Sequence, residues 1–220
     1  LLGQLQHNNI VRVHDFRRID DEYFIVMEYI DGIDVAQAIH VHRQQESRFP
    51  LSIFFHLALC LCEALHYAHT ATDLTGKPMR LVHRDLKPSN VLISRRGIVK
   101  LTDFGIARVG DATNAGSIVE GTANYMSPEQ AARKGDSIGP SADIYALGAI
   151  LYHLMTGRPP FRAESELDTL IQVIEDQPVS PRRLNSTVPI DLEKIILKCL
   201  EKEPQHRYAS AGKLADDLRR

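Results

Sequence analysis

Eight consecutive residues, His83-Arg84-Asp85-Leu86-Lys87-Pro88-Ser89-Asn90, place an acid, a lysine and an amide on one short stretch. Asp103-Phe104-Gly105 adds a second acid a little further on. Phosphoryl transfer needs such a set: one side chain to orient a hydroxyl, and hard oxygens to hold Mg²⁺ against phosphates. Between the two stretches, Val91-Leu92-Ile93-Ser94 and Ile98-Val99-Lys100-Leu101 read as short strands, with Arg95-Arg96-Gly97 at the turn. Such a hairpin carries Asn90 at one root and Asp103 at the other, close together in space.

The octet, the hairpin and Asp-Phe-Gly, in that order, resemble the catalytic loop and magnesium loop of the protein kinases. Ser127-Pro128-Glu129 is similar to that family's Ala-Pro-Glu. The resemblance implies roles. Asp85 would accept or orient the substrate hydroxyl proton, and Lys87 would neutralise the γ-phosphate. Asn90 and Asp103 would hold Mg²⁺, with Mn²⁺ as the alternative ion. Leu92 would lie beneath the adenine ring. Met27 would be the gatekeeper beside the adenine pocket, and Glu28-Tyr29-Ile30 the hinge whose backbone reads the adenine edge. Leu2, Val13, His83 and Phe104 would form a stacked hydrophobic spine next to Gly105.

The same likeness implies regulation and specificity. Arg84 marks the class whose activation segment is ordered by a phosphate. Ser117 first, and Thr113 second, are the phosphosites it would receive, in a stretch poor in apolar residues. Lys87 and Thr122 point to Ser/Thr rather than Tyr acceptors. Arg207, in Glu203-Pro204-Gln205-His206-Arg207-Tyr208, would pair with Glu129. Asp143 opens an apolar helix, where a carboxylate suits the helix dipole; in kinases an aspartate here bonds the backbone of the catalytic loop. Gly121 through Gln130 looks closest to bacterial eukaryotic-like Ser/Thr kinases. That likeness implies ATP and a divalent cation as cofactors, and proteins with Ser or Thr hydroxyls as substrates.

The totals agree. The chain has 220 residues, 44% hydrophobic and 25% charged, with 26 basic against 28 acidic side chains and a net charge of −2. That suffices for one core. It offers no basic excess for nucleic acid and no polybasic block for a membrane surface. Three cysteines cannot all pair, and they read as reduced structural thiols in a cytoplasmic setting. The most apolar stretches, 53–68 and 144–155, read as too short or too interrupted to cross a bilayer.

Leu1 to Leu5 reads as a helix tail, followed by strands through Val13 and Phe16 and over Tyr23 to Tyr29. Asp31-Gly32 reads as a turn before a short helix near Val35 to His40. Leu51, Phe54, Phe55, Ala58, Cys62 and Leu65 recur at helical spacing and predict a buried face reaching about His69. Residues 70–80 form a longer link than most kinases have. Their Thr-Gly-Lys-Pro core suggests an exposed hairpin-like excursion, either a tolerated insertion or a docking element. Residues 144–155 predict a buried central helix, and Leu192, Ile195, Ile196, Cys199 and Leu200 predict one apolar face of another.

The fold class implied is α+β: a protein-kinase-like two-lobe fold. Residues 1–30 would be the remnant of the N-lobe and hinge, and residues 31–220 the mainly helical C-lobe. The chain opens without Met and reads as a fragment. It contains no GxGxxG, and its first lysine is Lys77, past the hinge. These residues alone are therefore expected to be inactive. The alternative to a kinase is a non-catalytic kinase-like scaffold. Retention of Asp85, Asn90 and Asp103 favours the enzyme.

Overall fold

The computed structural model describes residues 5–20, 22–45, 47, 49–73, 75–79, 81–104, 121–133 and 138–220. The activation-segment residues Gly105, Thr113 and Ser117, and Leu2 of the expected spine, lie outside the described residues.

Strands β1 (Val13–Ile19) and β2 (Glu22–Met27) form an antiparallel hairpin with Val13 opposite Met27. β2 stops short of the expected end, leaving Tyr29 88% exposed. A second sheet has the order β3-β4-β5, from β3 (Gly32–Asp34), β4 (Val91–Ser94) and β5 (Val99–Leu101). β3 corrects the expectation of a plain turn at Asp31-Gly32. Gly32 lies opposite Ser94, and a Cβ on it would come within 2.0 Å of the Ile93 carbonyl oxygen. Glycine is what permits this close pairing. The segment before β1 joins the far edge, with Val11 donating to the Leu101 carbonyl and Leu101 to that of Asn9, each at 2.9 Å.

Helix α1 (Val35–Gln44) runs past the expected end at His40. Its start is fixed by a capping box: Asp34 accepts from the Gln37 N–H at 2.8 Å, and the Gln37 side chain reaches back to the Asp34 N–H. Helix α2 (Leu51–Thr70) begins after Pro50 and buries Phe54, Ala58, Cys62 and Leu65 as expected. Leu51 does not belong to that face; it is 41% exposed, because the first turn projects beyond the core. By length and apolar composition this 20-residue helix could span a bilayer, correcting the expectation that it is too short or interrupted. Its apolar side is instead packed inside the protein, with Leu57, Leu61 and Leu65 fully buried.

After a short helix α3 (Pro128–Ala131), the central helix α4 (Pro140–Thr156) has every residue from Ala142 to Tyr152 buried. Pro140 stands in its first turn, and Gly157 ends it at φ 75°, the left-handed conformation that suits glycine. Helices α5 (Glu166–Glu175), α6 (Pro181–Leu184), α7 (Ile190–Cys199) and α8 (Ala211–Arg219) complete the lobe. α2 and α7 pack on α4, and α8 packs on α2. The α4–α7 approach is close enough that a Cβ at Gly148 would lie 2.4 Å from that of Cys199. All three cysteines are free, and burial raises the Cys62 thiol to about 12.

The 70–80 link is the expected hairpin-like excursion. Thr72 pairs with Pro78, Met79 donates to the Ala71 carbonyl at 2.8 Å, and Gly76 turns the chain at φ 81°.

Candidate active site

The β4–β5 ladder sets the site. Val91 lies opposite Leu101, and one step outward the Thr102 N–H donates to the Asn90 carbonyl at 3.0 Å. Asn90 and Asp103 thus stand at the two roots of one hairpin, as the sequence predicts. Pro88, Ser89 and Asn90 form a 3-10 turn that feeds β4.

Three side chains converge beside them. Lys87 Nζ lies 2.9 Å from Asp85 Oδ2 and donates to Thr122 Oγ1 at 3.3 Å. Asn90 Nδ2 donates to the Asp85 carbonyl at 2.8 Å and more weakly to Oδ2 at 3.3 Å. The amide nitrogen is thereby occupied and Asn90 Oδ1 is left as the acceptor. Among the described residues no Lys, Arg or His forms an ion pair with Asp103. An amide oxygen and a carboxylate on neighbouring turns are hard donors that suit Mg²⁺.

Arg84 and Asp103 adopt φ 67° and 63°, the left-handed region that non-glycine residues enter only when held. Buried Asp143, in the first turn of α4, holds Arg84. Its two oxygens accept from the His83 N–H at 2.8 Å and the Arg84 N–H at 2.9 Å. Burial would raise its pKa, but the His69 hydrogen bond at 2.8 Å and the charges and N–H of the loop hold it below the ordinary value. Of the two readings of Asp143, grip on the catalytic loop prevails; the helix N-cap is Gly139. The Gln130 side chain adds a 2.6 Å bond to the Arg84 carbonyl. His83 Nε2 bonds the Thr102 carbonyl at 2.8 Å, and its ring lies 4.7 Å from that of Phe104. Val13 and Met27 line one small cavity with Phe104.

On the hinge side, Leu92 and Lys100 sit opposite each other on the ladder, so their side chains share a face. Lys100 Nζ reaches Glu28 at 2.6 Å, and the same carboxylate accepts from the Arg12 N–H. This places Glu28 beside Leu92 and next to Met27, with Ile30 half-buried. Glu129 and Arg207 form a buried bidentate pair, both contacts 2.8 Å. Arg207 spends its other donors on the carbonyls of Ser141, Glu201 and Lys202, so all five N–H groups are satisfied.

Sequence reasoning missed His69, the Glu28–Lys100 pair and the Tyr125–His153 hydrogen bond at 2.8 Å. A lone histidine at a helix end carries no signal of its own; only the fold brings it to Asp143.

A two-stranded hairpin leading into a helical lobe, with a catalytic-type loop gripped by the central helix, defines the protein kinase class. Residues 1–217 match the protein kinase domain family, and the chain belongs to it. It is 35% identical to serine/threonine-protein kinase PknB of Mycobacterium leprae, over 97% of this chain and 33% of that protein. It is also 35% identical to tyrosine-protein kinase MasK of Myxococcus xanthus, over 99% of this chain and 34% of that protein. The chain thus spans about a third of the curated relatives it matches. The crystal structure of the Mycobacterium tuberculosis PknI kinase domain superposes with a TM-score of 0.73 at 27% identity, covering 99% of this chain and 74% of that one.

Proposed function

We propose that the protein carrying this chain is an ATP-dependent serine/threonine protein kinase acting on protein hydroxyls in the cytoplasm. The observation that carries this reading is the convergence of Asp85, Lys87, Asn90 and Thr122 beside Asp103, on a loop held in a strained conformation by Asp143.

Mg²⁺-ATP would supply the phosphoryl group, and Asn90 Oδ1 and the Asp103 carboxylate are the groups that would hold its cation. Asp85 would receive the hydrogen bond of an incoming hydroxyl and take its proton. Lys87 pairs with Asp85 now and can turn its charge to a phosphate oxygen. Thr122 Oγ1, on Lys87, is positioned to fix the acceptor side. Met27, Glu28, Ile30 and Leu92 would surround the adenine. Catalysis of this kind is mostly positioning and charge stabilisation.

In the full-length protein, with a Ser/Thr peptide and Mg²⁺-ATP, Asp85→Asn and Asp103→Asn should each nearly abolish transfer while the circular dichroism spectrum is kept. Near-normal turnover in either variant would sink the assignment. Phosphoamino-acid analysis decides the acceptor class: phosphotyrosine alone would contradict it. Ser117, then Thr113, are our proposed activating phosphosites, with Arg84 as the receiving cation. Full activity of the doubly substituted Ser117→Ala, Thr113→Ala protein would count against that.

A further inference from the structure

A cavity of about 750 Å³ lies apart from Asp85 and Asp103. It opens beside Asn124, two residues past the Thr122 that touches Lys87, and runs between α1 and the segment that follows α4. Its described lining is basic. His40 and Arg43 project from α1, and Arg158 and Arg162 from the segment after α4, against a single carboxylate, Asp176.

Arg43 and Arg162 are both exposed, and among the described residues neither forms an ion pair with a carboxylate. They come from different elements yet bear on one point. Both charges act on His153, whose pKa burial and these two guanidiniums push down to about 4. His153 is therefore neutral near pH 7, and the positive potential of the groove comes from the arginines. Guanidiniums that no described carboxylate pairs with, in a groove beside a transfer site, attract acidic groups and give selectivity rather than raw affinity.

We infer that this groove is a specificity subsite that takes an acidic segment of the protein substrate, Asp or Glu side chains flanking the phosphorylated Ser or Thr. The inference rests on the kinase reading and narrows its substrate class. Arg43, Arg158 and Arg162 would meet the substrate carboxylates, while Asp85 and Lys87 handle the hydroxyl. Arg43 and Arg162 are positioning residues that touch no reacting atom.

The test uses the full-length protein and three peptides of one length, each with one serine flanked by Glu, Ala or Lys. The Glu peptide should have a kcat/KM about tenfold above the Ala peptide, mainly through KM, as expected for two part-exposed charge pairs. The advantage should shrink with salt. Arg43→Glu with Arg162→Glu should erase it and leave turnover of the Ala peptide unchanged; Arg43→Gln with Arg162→Gln serves if the reversal unfolds the protein. A labelled Glu peptide lacking any hydroxyl gives a second readout by anisotropy, independent of catalysis. It should bind about tenfold more weakly to either double variant. Equal kcat/KM and equal binding for all three peptides would overturn the subsite. So would an equal loss on the Ala peptide in both double variants. Binding of the hydroxyl-free peptide without transfer to any serine would uphold the groove and refute the kinase reading.

Discussion

Asp143 does more than any residue of the octet to shape the loop. It touches neither hydroxyl nor phosphate in the proposed mechanism, yet it anchors two consecutive N–H groups and the His69 ring. Asp143→Asn keeps the size but turns one acceptor into a donor facing an N–H. Each lost charge-assisted bond of this kind costs about 1.5–3 kcal/mol, and Arg84 at φ 67° loses part of what holds it. The variant should unfold at lower urea and transfer phosphate far more slowly, with the nucleotide KM little changed. A wild-type turnover number would reject this. At this scale the sequence was highly legible: Asp85, Lys87, Asn90 and Asp103 were identifiable because their order and spacing are nearly unique. His69 and Lys100 were not, because their partners lie 74 and 72 residues away.

Two further contacts tie the segment around Thr122 to the helical lobe. The first is the buried Glu129–Arg207 pair between α3 and the turn before α8. Arg207→Ala leaves a lone buried carboxylate and should cost about 3–5 kcal/mol. Arg207→Lys should not restore it, since one ammonium cannot satisfy five acceptors. Chemical denaturation of both variants checks this, and an unchanged midpoint for Arg207→Ala would reject it. The second is Tyr125 on His153 of α4. The folded pKa of His153 is about 4 against an ordinary 6.5, so between those values the unfolded chain binds a proton that the folded chain does not. This contribution is whole above about pH 6.5 and is lost as pH falls toward 4. His153→Asn keeps an acceptor for Tyr125 and should flatten that part of a melting-temperature profile. Equal slopes for variant and wild type would rule the linkage out. Helix periodicity made α2, α4 and α7 readable, since each shows one apolar face or is apolar all round. β3 was not readable: three residues are too few for a period, and only the β4 edge makes Gly32–Asp34 a strand.

Across the whole chain the two sheets differ in how well they are covered. β4 and β5 lie against the buried lobe, with Val91 and Leu101 fully covered. The β1–β2 hairpin instead exposes Phe16 at 50%, Ile19 at 55% and Tyr23 at 59%. A large exposed apolar strand face is a hazard for association. Residues 1–220 expressed alone should therefore associate at micromolar concentration while their helical lobe stays folded. They should also transfer phosphate negligibly, because no lysine precedes Lys77 to meet the α- and β-phosphates. Light scattering and a labelled-ATP assay check the two halves of this prediction. Robust transfer, at the roughly 1–100 s⁻¹ usual for kinases, would show it wrong. The two-lobe arrangement was legible from motif order. The basic groove was not, because Arg43 and Arg162 are far apart in sequence and only the fold brings α1 and the segment after α4 to one cavity.

The grip of Asp143 has a consequence for protein engineering. His69 and His83 flank the 70–80 excursion, and both are fastened to the same carboxylate. The excursion is thus a closed loop on a rigid base, its own turn stitched by Asp73 accepting from the N–H groups of Thr75 and Lys77. Lengthening a loop whose ends are already fixed adds little closure entropy, about 0.6 kcal/mol per doubling. A fluorescent reporter or an affinity handle spliced in near Thr75 would leave the strained loop of Arg84 and Asp85 undisturbed. The excursion is thus a port for labelling whose base shares the Asp143 anchor with the candidate catalytic residues.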